Sequence, residues 1–285
     1  EQITFNTSAE FYKNEGLAID KEEQGGSFRI ASETKLSSRV KLSEVLHVGY
    51  TSENPNYTNI NYRSVPTMEP YDPTNSGGGW GQQPSGGYFN GPNPLVEELV
   101  YHDNNKTYWG KANVMLDWEI IKDLKFQANL SANSKTVANS SFRDAWKVGS
   151  LSYKDQYTKN YNAGHDLRMF YTLTYDHTFA EKHWVRGMVG YEASQSEYTG
   201  AGGWKQGFAV QPAESMSLGS TVGDVYGSTS RSRSISYFAR ANYSYDSKYV
   251  LEASVRRDGY DNFGKSNRFG VFPSVSAAWN MHKES

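Results

Sequence analysis

Hydrophobic and polar positions alternate with a period of two along most of this chain. Leu167, Met169, Tyr171, Leu173, Tyr175 and Phe179 share one face, and Asp166, Arg168, Thr172, Thr174 and Asp176 share the other. The same reading separates Ile235, Tyr237, Ala239, Ala241, Tyr243 and Tyr245 from Ser236, Arg240, Asn242 and Ser244. It also separates Leu124, Phe126, Ala128, Leu130 and Ala132 from Lys125, Gln127, Asn129, Ser131 and Asn133. A helical period would scatter these residues around an axis, so the runs are strands with one apolar and one polar face. Ten strands are expected, at about 2–12, 27–36, 39–51, 108–120, 123–137, 165–179, 183–199, 232–245, 248–258 and 268–280. Most exceed the roughly 9 to 11 residues that a tilted strand needs to cross a bilayer, and can project beyond it on one side.

The connections sharpen this picture. Tight hairpin turns are expected at Leu36–Arg39, Ile121–Asp123, Ala180–Lys182 and Asp246–Lys248, and long excursions at 52–107, 138–164, 200–231 and 259–267. Short and long connections alternate, which a soluble sandwich has no reason to do. Outer-membrane barrels do it, with short turns on one side and long loops on the other. Trp118, Phe179, Trp184, Tyr245, Tyr249 and Trp279 fall near the short turns, where an interfacial aromatic belt is expected. The first excursion carries Pro55, Pro66, Pro70, Pro73, the run Gly77–Gly81 around Trp80, and Pro84, so it is irregular. Asn93–Leu99 reads as a short helix, with Asn93 as N-cap and Pro94 in the first position.

Composition narrows the function classes. Lys+Arg 29 against Asp+Glu 31 over 285 residues argues against a nucleic-acid partner, whose basic footprint would show in the totals. The chain is only 37% hydrophobic yet 14% aromatic, and its mean hydropathy is −0.73. No run approaches the ~18 to 20 apolar residues of a membrane helix, but a barrel strand alternates and averages out as hydrophilic. With no cysteine, disulfides, thiolate metal sites and cysteine nucleophiles are excluded. The chain opens at Glu1 with no charged-then-apolar leader, as expected of a mature protein or a piece of a longer one.

Candidate chemistry is sparse. Gly259–Ser266 satisfies the phosphate-loop pattern, but that loop works only between a buried parallel strand and a helix. Here Leu251, Ala253 and Val255 alternate with polar residues before it, and a strand containing Pro273 follows. The six histidines show no helical i, i+4 spacing, so no metal site and no cofactor is expected. Glu22–Glu23 and Glu97–Glu98 read as solvated surface. Trp80, Tyr88, Phe89, Trp146 and Trp204 stand in Gly- and Ser-rich loops, where aromatics either pack loop caps or contact a substrate or partner.

The run Ser236–Trp279 resembles the barrel of SusC/RagA-like TonB-dependent outer-membrane transporters of Bacteroidota. The resemblance rests on Tyr237-Phe238, Asn242-Tyr243, Asp246–Tyr249, Arg256–Gly259, Phe263–Lys265 and Phe272–Ser274; Asn93–Leu99 and the turn at Glu119–Leu124 extend it to about 93–281. It implies an all-β fold, an antiparallel transmembrane barrel of 22 strands around a plug, of which this chain supplies about ten. It further implies nutrient import of oligosaccharides or peptides rather than catalysis, energy coupling to TonB, and a SusD-like lipoprotein partner at the cell outer membrane. Plug, TonB-contacting segment and a terminal aromatic strand are not seen, so residues 1–285 are expected to be a middle part of one receptor barrel domain. Two other readings stay open. A self-contained ten-stranded barrel would be an omptin-like surface hydrolase, with His165-Asp166 and His102-Asp103 polarising water at the rim. A soluble carbohydrate-binding module explains the aromatics but not the loop asymmetry.

Overall fold

The computed structural model describes residues 2–17, 21–55, 69, 71–72, 100–148 and 151–284. Ten strands form one antiparallel sheet in chain order: β1 Ile3–Glu15, β2 Glu22–Ser37, β3 Val40–Asn54, β4 Tyr101–Ile121, β5 Leu124–Arg143, β8 Gln156–Phe179, β9 His183–Gln206, β10 Thr221–Tyr245, β11 Tyr249–Tyr260 and β12 Phe269–Trp279. A small hairpin, β6 Trp146–Val148 and β7 Leu151–Tyr153, lies in the connection from β5 to β8. All ten expected strands are present. The expected helix at 93–99 lies outside the described residues.

The strands run much further toward the long loops than alternation suggests. β8 and β9 have 24 residues each and β10 has 25, so they take up much of the expected excursions at 138–164 and 200–231. At about 3.3 Å per residue, 24 residues reach roughly 80 Å, against the apolar band about 25 Å tall expected of an outer-membrane barrel. Beyond that band both faces meet water. Ser, Thr, Asn, Gly and Tyr then serve on either side, and the two-residue rhythm that reveals a strand fades.

Cross-strand register carries the apolar face across the whole sheet. One row of partners runs Val40, Trp118, Phe126, Leu173, Val189, Ala239, Val255 and Pro273. Higher up, another row begins as Phe28, Val48 and Gly110 and ends as His165, Glu197 and Arg231. The apolar band therefore slants across the register rows, as strands tilted to a barrel axis require. Leu173, Val189, Val255 and Val275 on this face are 36%, 55%, 43% and 80% exposed, so the sheet leaves a broad apolar surface uncovered.

At the short-turn rim, Phe179, His183, Tyr245, Tyr249 and Trp279 form one row over β8 to β12. Four of the expected belt residues thus stand side by side, and Trp118 shares their face. Trp184 does not. It pairs with Thr178 and Ser244 on the polar face, and its indole N–H donates to Asp176 Oδ1 at 2.8 Å. Its parity against Val185, Val189 and Tyr191 already gives that placement.

The opposite rim holds a small core. Phe142, Tyr157, Phe208 and Ala213 are buried together, with Met216 packed against them. Phe142 meets Tyr157 and Phe208 edge-on at 5.6 and 5.3 Å. The buried Asp155 carboxylate accepts the backbone N–H groups of Gly207 at 2.9 Å and Phe208 at 2.5 Å, stapling the connection at 207–220 onto the strand ends. Residues 207–220 fold as a cap.

Candidate functional site: the polar face of the sheet

Residues of the polar face come from alternate positions of every strand, and the ladder brings them into rows. In the lower half those rows carry satisfied charge. Arg168 on β8 and Arg256 on β11 reach one carboxylate, Glu192 on β9, at 2.7 and 3.2 Å. Arg256 also meets Asp258 at 2.6 Å and donates to Ser236 Oγ at 2.9 Å. The Glu192 side chain is only 15% exposed, so two guanidinium groups compensate its desolvation. Phe238 lies under this cluster, 5.5 Å from the Arg256 guanidinium and 5.7 Å from Phe170. It lies across Gly190, where a Cβ would stand 2.1 Å from the ring.

The upper half of the same face is built from aromatic rings and uncharged polar groups. Trp109 on β4 lies across Gly49 of β3, whose missing Cβ would fall 2.3 Å from the indole. His47 packs edge-on against Trp109 at 4.6 Å, and Lys111 Nζ stands 5.7 Å from its ring. Tyr198 on β9 donates to Asn162 Oδ1 at 2.9 Å, and Tyr226 on β10 donates to Asn160 Oδ1 at 2.5 Å. Trp109, Lys111, Asn133, Lys135, Asn162, Asp166 and Tyr198 line one concavity of about 800 Å³. Such a surface offers flat apolar rings beside hydrogen-bond donors and acceptors, as many small-molecule sites do.

Among the loop aromatics singled out from sequence, Trp204 joins this face. It stands at the top of β9 and covers Gly223, where a Cβ would meet the ring at 2.2 Å. Trp146 stacks on Tyr153 at 4.0 Å within the β6–β7 hairpin. Trp80, Tyr88 and Phe89 lie outside the described residues. Sequence reasoning missed Trp109, Tyr198 and Tyr226, because each is tied to a glycine or asparagine on a neighbouring strand that only register identifies.

The two rim dyads considered for hydrolysis are not assembled. Adjacent strand residues point to opposite faces. His165 bonds Ser134 Oγ at 3.0 Å on one face, and Asp166 accepts from Ser196 Oγ at 2.6 Å on the other. His102 pairs with Asp144 at 2.8 Å rather than with Asp103. β1 and β12 are each paired on one side only, so the ten strands form an open sheet and not the closed barrel that reading needs. Gly259–Ser266 forms a strand end, a turn and the start of the short 3₁₀ turn Lys265–Asn267 before β12, with no helix for a phosphate to meet.

Known proteins share this arrangement. A TonB-dependent receptor, P3, of Formosa agariphila is 28% identical over 227 residues, 79% of this chain and 22% of its own length. The TonB-dependent receptor SusC of Bacteroides thetaiotaomicron is 24% identical over 205 residues, 68% of this chain and 19% of its own. The chain thus spans about a fifth of the length of these relatives. In a solved structure of the RagAB peptide transporter, a fold of TM-score 0.83 at 18% identity covers 100% of this chain and 33% of that one. The family model described as TonB dependent receptor-like, beta-barrel, matches residues 46–284. The alternating strands, the slanting apolar band and the uneven rims are thus those of an outer-membrane barrel, and the chain belongs to the TonB-dependent receptor β-barrel family.

Proposed function

We propose that this chain is part of the wall of an outer-membrane nutrient importer, driven through TonB and served by a SusD-like surface lipoprotein, that takes up oligosaccharides or peptides. The polar face lines the lumen and the apolar face meets lipid. Further strands and a plug complete the barrel domain to about 22 strands, the size class that transports through a plugged lumen. One observation carries this reading: a ten-stranded sheet with both edges open, in a family whose members are several times longer. Its polar face has the make-up of a lumen, with charges paired below and aromatic and amide groups exposed above.

The test is the denatured mass of the native polypeptide from source membranes. A chain roughly three to four times as long as this one is expected, as in the relatives it matches. A species near 32.1 kDa would overturn the reading. In cells, uptake of the cognate nutrient is expected to stop when TonB is deleted, and a surface lipoprotein is expected to copurify.

A further inference from the structure

The concavity around Trp109 joins flat aromatic surface with cations that have no acidic partner among the described residues. We propose that it is a binding site for an anionic oligosaccharide, such as a uronate-containing or sulfated glycan; this rests on the importer reading and specifies its substrate class.

The charge argument begins with register. Arg29, His47 and Lys111 are successive partners across β2, β3 and β4 on the polar face. Lys135 is paired with Trp109, one diagonal step from Lys111. Like charges directly opposite each other cost stability in a sheet, and diagonal neighbours remain within reach of long side chains. Lower on the same face this cost is offset: Arg168, Arg186, Arg240 and Arg256 each have a carboxylate at 2.7, 3.8, 3.7 and 3.2 Å. Among the described residues, Lys111 and Lys135 have none. Asp166 faces the same concavity, one diagonal step from Lys135 and two strand spacings, about 10 Å, from Lys111, but its carboxylate accepts from Ser196 and forms an ion pair with neither lysine. An anionic ligand would supply the missing compensation at Lys111 and Lys135.

The ligand class follows from the row Trp109, Lys135, Gly164, Tyr198. Two aromatic rings stand at its ends, three strand spacings or about 14 Å apart. A cation and a bare glycine lie between them. Trp109 can lie flat because Gly49 has no Cβ, which suits the apolar face of a sugar ring. Asn133 and Asn162 offer amides for hydroxyl groups. The backbone of this wall is already consumed by ladder bonds on both sides, so the strand addition by which many peptides bind is not open here. The floor at Gly164 is open by choice of side chain and not by lack of room. A Cβ there would meet only Tyr198 at 3.9 Å and Lys135 O at 4.0 Å, ordinary contacts.

The test uses the full-length receptor purified from membranes, with calorimetric binding of three probes: a hexameric oligogalacturonate, maltohexaose and hexaglutamate. Oligogalacturonate is expected to bind, more weakly as salt is raised, and at least tenfold tighter than maltohexaose. Combined Lys111→Gln and Lys135→Gln is expected to weaken it tenfold or more. Gly164→Leu, which fits the backbone, is expected to abolish it by filling the floor between the rings. Equal binding of the neutral hexamer, preference for hexaglutamate, no binding of any probe, or variants that bind as the wild type would each overturn the proposal. Uptake separates this from the broader reading. TonB-dependent uptake of a different nutrient, insensitive to these variants, sinks only the anionic-glycan site; loss of all TonB dependence sinks the importer itself.

Discussion

The two ends of this sheet solve the same problem, how to finish a long strand, by different chemistry. At the short-turn end the chain reverses within three residues. Ala180 and Glu181 adopt φ 46 and 58, and Asp246 and Ser247 adopt φ 49 and 54, the left-handed pair that matches the twist of a hairpin. No glycine occupies these turns, so the local strain is held by the aromatic row directly above them and by the ladder. At the loop end the reversals at 144–155 and 207–220 take twelve and fourteen residues, and they are held by a buried core and by Asp155. One rim is thus fixed by backbone geometry and an interfacial aromatic row. The other is fixed by side-chain packing, which leaves its loops the tolerance to changes of length that surface connections have.

The contrast is broken most severely by moving charge along one strand. Val189 and Thr199 lie on the same face of β9, ten residues apart. Val189→Arg is expected to cost about 2–4 kcal/mol in urea unfolding of the full-length receptor in vesicles, as arginine does near a bilayer midplane. Thr199→Arg, above the apolar band, is expected to change stability by less than about 0.5 kcal/mol. Equal effects would mean that the apolar band does not end below Thr199.

The loop end should fail at Asp155. Asp155→Ala leaves the buried Phe208 N–H without a partner, at about 1–3 kcal/mol, and also removes the acceptor of the more exposed Gly207 N–H. Hydrogen exchange should then rise across 207–220 while the short turns keep their protection. A smaller effect is expected on the polar face, where Gly190→Val drives a methyl group into Phe238 and costs about 1–3 kcal/mol by overpacking. Its signature is loss of the Phe238–Arg256 contact without exposure of the lipid-facing strands.

At the short-turn end the expected changes are small and partly favourable. Ala180→Gly should stabilise by up to about 1 kcal/mol, because it removes a Cβ from a left-handed residue. Beyond β12, hydrogen bonds from the Tyr249 hydroxyl and then the Trp279 indole hold the Glu284 carboxyl below its ordinary value of 4.5. The stabilisation is present above the ordinary value and is lost as pH falls through the lowered one. A fluorescence change on acidification that is absent in Glu284→Gln would report it.

Much of the architecture was legible in the chain. Alternation located all ten strands, and turn spacing located both rims. The resemblance over 93–281 anticipated a family match that begins earlier, at residue 46. Alternation also held the answer for Trp184 and for the two His-Asp pairs, because parity along a strand assigns each residue to a face. The upper halves of β8, β9 and β10 were not legible. There Asn, Ser, Thr, Gly and Tyr stand on both faces, and with water on both sides no hydrophobic contrast marks the pleat.

What the sequence determined by itself is therefore one-dimensional: where strands lie, which face of each is apolar, and which connections are short. Register belongs to the tertiary structure, because hydrogen bonds between strands are alike at every residue and only the joint fit of ten strands selects one alignment. That alignment lays Trp109 over Gly49, Phe238 over Gly190 and Trp204 over Gly223. It also brings Arg168 and Arg256 to one glutamate, and leaves Lys111 and Lys135 facing an open concavity.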